Sequence, residues 1–214
     1  MANSVEMVVL TKSAKNGGHC VAGIDVHTGN WVRLVSNDLN THGALSDQDM
    51  QYQDRSYCTP LDIVSVPIIE ACPSQYQPEN ILIDQESLWK RLGRMSIQDL
   101  LELHPPEIHD SLLGNVYPYI TSERIGAVGH SLILVEVEGL LLTHPREHST
   151  KASFRYQFTQ YENISVTDRD FYLVSNNTLF TRSILVMSLP DVPYGERRYY
   201  KFIAKIFRYH LNSI

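Results

Sequence analysis

Three short apolar runs open the chain, and turns rich in Gly and Asn separate them. The runs cover residues 7–12, 19–26 and 31–36, with turns at 16–18 and 27–30. Runs of β-branched and aromatic residues between such turns are typical of antiparallel strands. The Asn-Gly-Gly turn favours a tight hairpin, because its residues adopt positive φ at low cost. The pattern predicts a three-stranded meander.

The pattern changes several times in the rest of the first half. Residues 37–59 are polar and acidic without periodicity, which predicts a long loop. Residues 61–69 form a fourth strand candidate, and residues 79–84 add a short extended piece. Leucines then recur at helical spacing, which predicts two short helices over 85–93 and 96–103.

The second half returns to apolar runs bounded by turn residues. Strand candidates lie at 131–142, 154–158, 164–166, 171–174, 183–189 and 199–209. The last run is compatible with a short helix, but its β-branched and aromatic content favours a strand. Many short strands with turn signals are typical of barrels and sandwiches. The chain is therefore predicted to be mainly β, in the α+β class.

Composition and charge narrow the class of protein. The 214 residues, 43% hydrophobic and 20% charged, are ordinary for one larger globular domain or two small ones. The net charge of −6 argues against a non-specific polyanion binder. Residues 1–107 hold seven basic and fourteen acidic side chains, and residues 108–214 hold eleven and ten. Five of these basic side chains lie in the last 25 residues, so a polyanion is expected to meet the C-terminal segment or a local groove.

Cysteine usage and hydropathy set the expected compartment. The three cysteines lack CxxC spacing, so neither a disulfide framework nor a zinc ribbon is predicted. No basic segment followed by an apolar segment opens the chain, and no apolar run approaches ~18 residues. We expect a cytoplasmic protein without a membrane partner.

Short motifs along nearly the whole chain carry a family resemblance. They lie at residues 17–25, 28–36, 77–80, 154–158, 165–168, 185–189 and 200–206. In these motifs the chain resembles prokaryotic dual OB-containing domain proteins. Two positions depart from the family pattern: His19 stands in place of a basic residue, and Arg169 in place of a proline. The resemblance implies two tandem OB-like β-barrels and a setting in bacterial defence or conflict systems.

The strand pattern agrees with two OB-like barrels joined with a small helical insert. The expected domains are 1–108, which includes the helical segment, and 109–214. A five-stranded OB barrel needs a three-stranded meander and two further strands. The fifth strand of the first barrel is not apparent, so the run at 131–142 either completes that barrel or begins the second.

An OB groove that binds single strands needs cations for phosphates and aromatic rings for bases. Each stacked base contributes about 1–3 kcal/mol. The meander offers Lys12, His19, Trp31 and Arg33, and alternation places Trp31 and Arg33 on one face of a strand. The alternative is that Trp31 belongs to the core and Arg33 covers it as a solvated side chain.

Two further sets of cations lie in the second half. Arg155 is placed to pair with a phosphate or with Asp168. Near the end, basic residues alternate with tyrosines, as in nucleic-acid surfaces. This set contains Arg197, Arg198, Lys201 and Lys205. The alternative for this last set is an edge strand that positive charge protects from aggregation.

Catalytic and metal sites are not predicted. Residues 144–148 match the H-x-x-E-H pattern, but they follow a strand-like run and precede a poor helix former, so helical metal geometry is not expected. No phosphate-binding glycine loop or nucleophile elbow occurs. We therefore expect no catalytic residues, no metal and no cofactor.

These observations lead to one function and two rivals. The leading hypothesis is a non-catalytic module of a bacterial defence system that binds single-stranded DNA or RNA, or a nucleotide. The first rival is a protein-interaction or oligomerisation subunit that docks on a larger effector, an enzyme or ATPase encoded nearby. The second is a small hydrolase or nuclease that depends on acidic residues such as Asp168.

Overall fold

The computed structural model describes residues 3–15, 17–147, 149–195 and 197–208. The chain divides into two compact units, Met1–Pro105 (unit 1) and Pro106–Ile214 (unit 2). Strands dominate both units, which confirms the predicted mainly β fold. No helix in the described ranges is long and apolar enough to cross a membrane.

Unit 1 is a strand barrel followed by one short helix. Its elements are β1 (Ser4–Lys15), β2 (Gly18–Asp25), β3 (Trp31–Val35), β4 (Asp62–Ala71), β5 (Asn80–Ile83), β6 (Lys90–Arg94) and α1 (Ile97–Leu103). The strand order is β1-β2-β3-β5-β4, and β4 pairs back onto β1 to close the ring. Strands β3 and β5 are parallel, and the other neighbours are antiparallel. The fifth strand of the first barrel, which the sequence pattern did not identify, is therefore β5.

The core of unit 1 draws on the segment that was predicted to be a loop. Alternating side chains of β1 and β4, such as Met7 and Val64, fill the barrel together with Leu34. Met50 and Tyr52, from residues 37–59, are also buried there. The polar composition of residues 37–59 thus concealed several apolar side chains that pack in the barrel core, Leu45 and Cys58 among them.

One of the two predicted helices is wrong. Residues 85–93 form a turn and the start of β6, since Trp89 is buried in the core whereas Leu88 and Leu92 are exposed. The second helix is confirmed as α1. Its N-cap Ser96 accepts a hydrogen bond from the backbone N–H of Asp99, which satisfies one of the free donors in the first turn of the helix.

Unit 2 repeats the barrel and adds a two-stranded ribbon. Its elements are β7 (Tyr119–Thr121), α2 (Ser122–Ile125), β8 (Leu132–Arg146), β9 (Ser149–Tyr156), β10 (Thr159–Val166), β11 (Thr178–Ser188), β12 (Arg198–Tyr200) and β13 (Phe202–Arg208). The closed order is β8-β9-β10-β13-β11, with β10 and β13 parallel. The run at 131–142 therefore begins the second barrel.

The two units have the same barrel topology. In each, the first three strands form a meander, the fourth strand pairs with the first, and the fifth pairs in parallel with the third. A five-stranded barrel of this kind is the OB architecture. The predicted pair of OB-like barrels is confirmed.

The ribbon of unit 2 lies outside its barrel. Strands β7 and β12 are antiparallel, with Arg198 opposite Thr121, Tyr199 opposite Ile120 and Tyr200 opposite Tyr119. Tyr199 and Ile120 are buried, so strand alternation directs the other four side chains to the opposite, half-buried face.

Two of the strands predicted in the second half differ from those in the structure. The strand expected at 171–174 is wrong, because Asp168 caps a 3₁₀ turn over Arg169–Phe171. The final run, 199–209, is a strand as favoured, but it is divided between β12 and β13 by Lys201. Its last residue, Tyr209, lies outside the described residues.

Candidate nucleic-acid interface

OB barrels bind ligands on the face of the second and third strands and with the loops after the first and fourth strands. In unit 1 the loop after the fourth strand covers residues 72–79. In unit 2 it covers residues 189–201 and contains β12. The predicted site residues are divided between the two units: Lys12, His19, Trp31 and Arg33 lie in unit 1, and the others lie in unit 2.

Trp31 and Arg33 of unit 1 have partners within the unit. Arg33 is only 2% exposed, and its guanidinium lies 3.4 Å from Oε1 of Glu79 and 2.8 Å from Sγ of Cys20. The Trp31 ring meets the ring of His104 edge-on, at a centroid distance of 5.6 Å. In this arrangement the guanidinium of Arg33 serves a buried ion pair.

Lys12 and His19 of unit 1 converge on one carboxylate. The Lys12 ammonium lies 2.8 Å from Oδ1 of Asp47, and His19 Nε2 lies 3.1 Å from the same oxygen. The hydrogen bond from Lys12 is the main reason that the pKa of Asp47 lies below its usual range. The charge of the Lys12 ammonium is thus matched locally by Asp47, to which His19 adds a second contact.

Arg155 is also engaged, although with another partner than the sequence predicted. It lies on β9 and forms an ion pair across the strands with Glu138 of β8. Asp168 instead accepts from the backbone N–H of Ile206 at 3.0 Å and from Lys205 Nζ at 3.3 Å. Asp168 is 4% exposed, and burial raises its pKa. Asp168 and Lys205 therefore fasten the 3₁₀ turn to β13.

Lys201 is fully buried between the ribbon and the barrel. Its ammonium donates to the backbone carbonyl of Asn115, and to the side-chain Oδ1 of Asn115 at 2.8 Å. It also lies 5.8 Å from the ring centroid of Tyr161. Burial lowers the pKa of Lys201 to about 7. Its position is that of an internal anchor for the segment before β7.

Arg197 and Arg198 differ from the other predicted cations because the ribbon presents them outward. Arg197 is exposed, and its carbonyl accepts from the backbone N–H and Oγ of Ser122, both at 3.1 Å. Arg198 lies over the ring of Tyr119, with its Cζ 4.6 Å from the ring centroid. This is cation–π distance.

Three tyrosines and Arg198 form one surface, which we call the tyrosine–arginine platform: Tyr117, Tyr119, Tyr200 and Arg198. The rings of Tyr117 and Tyr119 are nearly parallel, 24° apart, with centroids separated by 6.4 Å. Tyr200 is tilted by 59° to Tyr119 at 5.7 Å. Tyr117 is 61% exposed. The platform therefore offers aromatic faces beside a guanidinium.

A shallow depression of about 260 Å³ adjoins the platform. It is lined by Tyr194, Gly195, Arg198 and Tyr200. Backbone hydrogen bonds between Tyr194 and Arg198 close this turn, and Tyr194 is 74% exposed. The depression belongs to the loop after the fourth strand of the second barrel, where OB folds bind their ligands.

Sequence reasoning missed Tyr117, Tyr119 and Tyr194. The first two lie in the stretch 104–129 that was interpreted as an irregular connector. The repeated Tyr at 117 and 119 was a usable signal, since residues two apart in a strand share a face. Their pairing with β12 was not visible, because nearly eighty residues separate the two strands of the ribbon.

The comparison with protein families agrees with this duplicated topology. The family model described as dual OB-containing domain matches residues 5–206. The chain belongs to the dual OB-containing domain family. No curated protein matches it significantly. A solved structure of a murine DNA-binding protein bound to double-stranded DNA is similar over 97% of this chain and 100% of that one, at 8% identity and a TM-score of 0.38.

Within this dual OB-containing domain, the H-x-x-E-H pattern does not fall on a helix. His144 lies in β8, and its ring Nδ1 is 3.2 Å from Oγ1 of Thr150 on β9. His148 lies outside the described residues. In the described ranges, no group of three or more His, Cys, Asp or Glu side chains is placed to hold a metal ion.

Proposed function

We propose that this dual OB-containing domain binds single-stranded nucleic acid, or a nucleotide, through the tyrosine–arginine platform of unit 2. The observation that carries the proposal is the position of Arg198 over Tyr119, on a ribbon formed by the loop after the fourth barrel strand. OB folds that bind single strands combine exposed rings with cations in this region.

The geometry of the platform favours unpaired bases. Stacking on Tyr117 or Tyr200 requires a base whose face is open, which a duplex offers only at its ends. The adjoining depression, at about 260 Å³, is below the ~300–1,000 Å³ of pockets that hold whole drug-sized ligands. It therefore suits one base or sugar of a longer ligand.

The charge distribution supports the same unit. Residues 108–214 carry a net charge of +1, against −7 for residues 1–107. Arg197 and Arg198 lie at the ribbon, where the two guanidiniums supply donors for phosphate oxygens. Salt-dependent binding with few phosphate contacts is expected.

The proposal includes a non-catalytic role and, from the family resemblance, a setting in bacterial defence. A binding module is expected to leave an oligonucleotide intact in Mg²⁺ or Mn²⁺, as judged by gel electrophoresis after long incubation. If the oligonucleotide were cleaved by the wild type and not by Asp168→Asn, the result would instead support the hypothesis of a hydrolase or nuclease.

Fluorescence anisotropy of labelled single-stranded DNA and RNA, at two salt concentrations, tests the proposal. We expect saturable binding that weakens as salt rises, and much weaker binding of a blunt duplex of equal length. Equal affinity for the duplex, or no binding at the lower salt concentration, would contradict it.

A protein-interaction role is the second candidate. Leu173 is 96% exposed and Leu179 is 65% exposed, within one short stretch of unit 2. Apolar side chains that remain so exposed are favourable contacts for a protein partner. This candidate predicts salt-insensitive association with an effector protein, lost in Leu173→Ser, and no oligonucleotide binding.

A further inference from the structure

Two arginines of unit 1 converge on one buried carboxylate. Arg91 Nη2 lies 3.2 Å and Arg94 Nη1 lies 3.0 Å from the same oxygen, Oδ1 of Asp62. Both arginines belong to β6, and their side chains are 47% and 52% exposed, whereas that of Asp62 is 2% exposed. Each guanidinium is therefore held at one end and open to solvent at the other.

A β-bulge is what brings these two side chains together. Residues three apart on a regular strand point to opposite faces of a sheet. In the pairing with β4, Val64 lies opposite Arg91 and Ile63 lies opposite Gly93, so β6 contains one extra residue. The extra residue restores Arg91 and Arg94 to one face, and bulges commonly redirect side chains in this way at functional sites.

The carboxylate that holds the arginines is itself fixed. Its other oxygen, Oδ2, accepts from the Tyr52 hydroxyl at 2.9 Å and from the backbone N–H and Oγ1 of Thr59, both at 3.0 Å. Asp62 therefore has little freedom, and the two guanidiniums are oriented before any ligand arrives. Such preorganisation reduces the entropy lost on binding.

Strand β6 carries basic side chains without acidic ones. β6 holds three of the seven Lys and Arg residues of positions 1–105 and no acid. Asp54 is an exposed carboxylate that senses the charge of Arg91, and its Oδ1 accepts hydrogen bonds from the backbone N–H and hydroxyl of Ser56. Two guanidiniums that share one carboxylate oxygen each keep N–H donors facing solvent.

We infer that Arg91 and Arg94 form a binding site for a phosphate group on unit 1. Planar guanidiniums match phosphate oxygens with paired hydrogen bonds, and a second anion completes the neutralisation that Asp62 begins. The site does not depend on the platform of unit 2. The phosphate belongs either to a free nucleotide or to a nucleic-acid backbone.

Pyrophosphate is the first probe, and thermal unfolding of the full chain is the measurement. At matched ionic strength, pyrophosphate is expected to raise Tm above its value in chloride, by roughly 5–10 °C at 100 times Kd. Arg91→Gln should abolish this rise. That variant keeps the ion pair between Arg94 and Asp62, so the buried carboxylate remains compensated and the fold is retained.

Arg155→Gln is the matched control, because Arg155 is another half-exposed arginine in an ion pair across strands. It should leave the pyrophosphate response unchanged, as should Tyr119→Leu in the platform. An equal response in wild type and Arg91→Gln, or no response beyond chloride, would overturn the inference. If the platform of unit 2 does not bind nucleic acid, the pyrophosphate response that depends on Arg91 is still expected.

Two further experiments with Arg91→Gln identify the ligand that supplies the phosphate group. For a nucleic-acid backbone, Arg91→Gln should reduce the slope of log K against log salt for a single strand by about 0.7 per lost contact. For a free nucleotide, ADP should raise Tm in wild type more than in Arg91→Gln while adenosine has no effect. If neither ADP nor an oligonucleotide responds to Arg91→Gln, the site does not bind phosphate groups of biological ligands.

Discussion

The guanidinium of Arg198 lies over the ring of Tyr119, with 4.6 Å between Cζ and the ring centroid. The two residues belong to β12 and β7, which pair only in the folded unit. The contact orients the guanidinium and leaves the neighbouring rings of Tyr117 and Tyr200 beside it. It combines an aromatic and a cationic group, the two kinds of side chain that bind single strands in OB folds.

Removing one ring of the platform should weaken nucleic-acid binding. We expect Tyr117→Leu to raise the Kd for single-stranded DNA between about fivefold and 150-fold, because one stacked base contributes about 1–3 kcal/mol. Fluorescence anisotropy at fixed salt measures the change. Tyr57→Leu is the control, since Tyr57 is 48% exposed in the other unit. Equal losses in both variants would contradict the assignment.

Arg33 should matter for stability and not for affinity. Arg33→Gln leaves Glu79 buried without its guanidinium, which typically costs about 3–5 kcal/mol. Arg182→Gln, in the exposed ion pair with Glu136, should cost about 0.2–1 kcal/mol. Urea unfolding measures both variants. If folded Arg33→Gln lost much of its affinity for an oligonucleotide, the result would instead support the binding site that the sequence predicted at Trp31 and Arg33.

Lys201 should make stability rise with pH. Its pKa is about 7 in the folded unit and about 10.4 when unfolded, so between these values the unfolded chain binds more protons. The penalty for a charged, buried ammonium is present below pH 7 and fades toward pH 10. The slope reaches at most about 1.4 kcal/mol per pH unit.

The matching experiment compares urea unfolding of wild type and Lys201→Met at pH 7, 8 and 9. Wild type should gain stability relative to the variant across this range. Cysteines and tyrosines titrate in both proteins, so the difference isolates Lys201. Parallel curves would show that the ammonium is not desolvated in the folded state.

Gly23 should not tolerate a side chain. A Cβ added there would lie 1.9 Å from the carbonyl oxygen of Val8 and 2.7 Å from Cε of Met7. Gly23→Ala is expected to cost at least about 3 kcal/mol, the upper end of ordinary overpacking, or to prevent folding. Gly126→Ala, where nothing lies within 4 Å, is the control. Circular dichroism melting curves measure the stability of both variants, and equal melting temperatures would contradict this prediction.

The barrels could be predicted because strand signals are local. The meander of β1, β2 and β3 and the runs at 61–69 and 183–189 were all visible as β-branched runs between turns. Residues 85–93 failed because Leu88 and Leu92 imitate a helical stripe, although neither is buried. The tertiary contact that decides this segment is the burial of Trp89, which a local pattern does not contain.

The candidate site was only half visible for the same reason. Arg197 and Arg198 were found from their basic, tyrosine-rich surroundings. Lys201 and Lys205 have the same surroundings but are buried, where Lys201 donates to Asn115 and Lys205 pairs with Asp168. Sequence composition shows which side chains are basic, but burial depends on contacts between segments that are distant in the sequence.

The ribbon of β7 and β12 draws one strand from before the second barrel and one from its last connection. The five barrel strands can therefore keep their pairing while the ribbon changes its sequence, its length or its charge. Under the proposed function, ligand preference is therefore separable from the scaffold that supports it. Exchange of residues 117–121 and 194–200 between relatives should transfer ligand choice and leave the melting temperature of the barrel nearly unchanged.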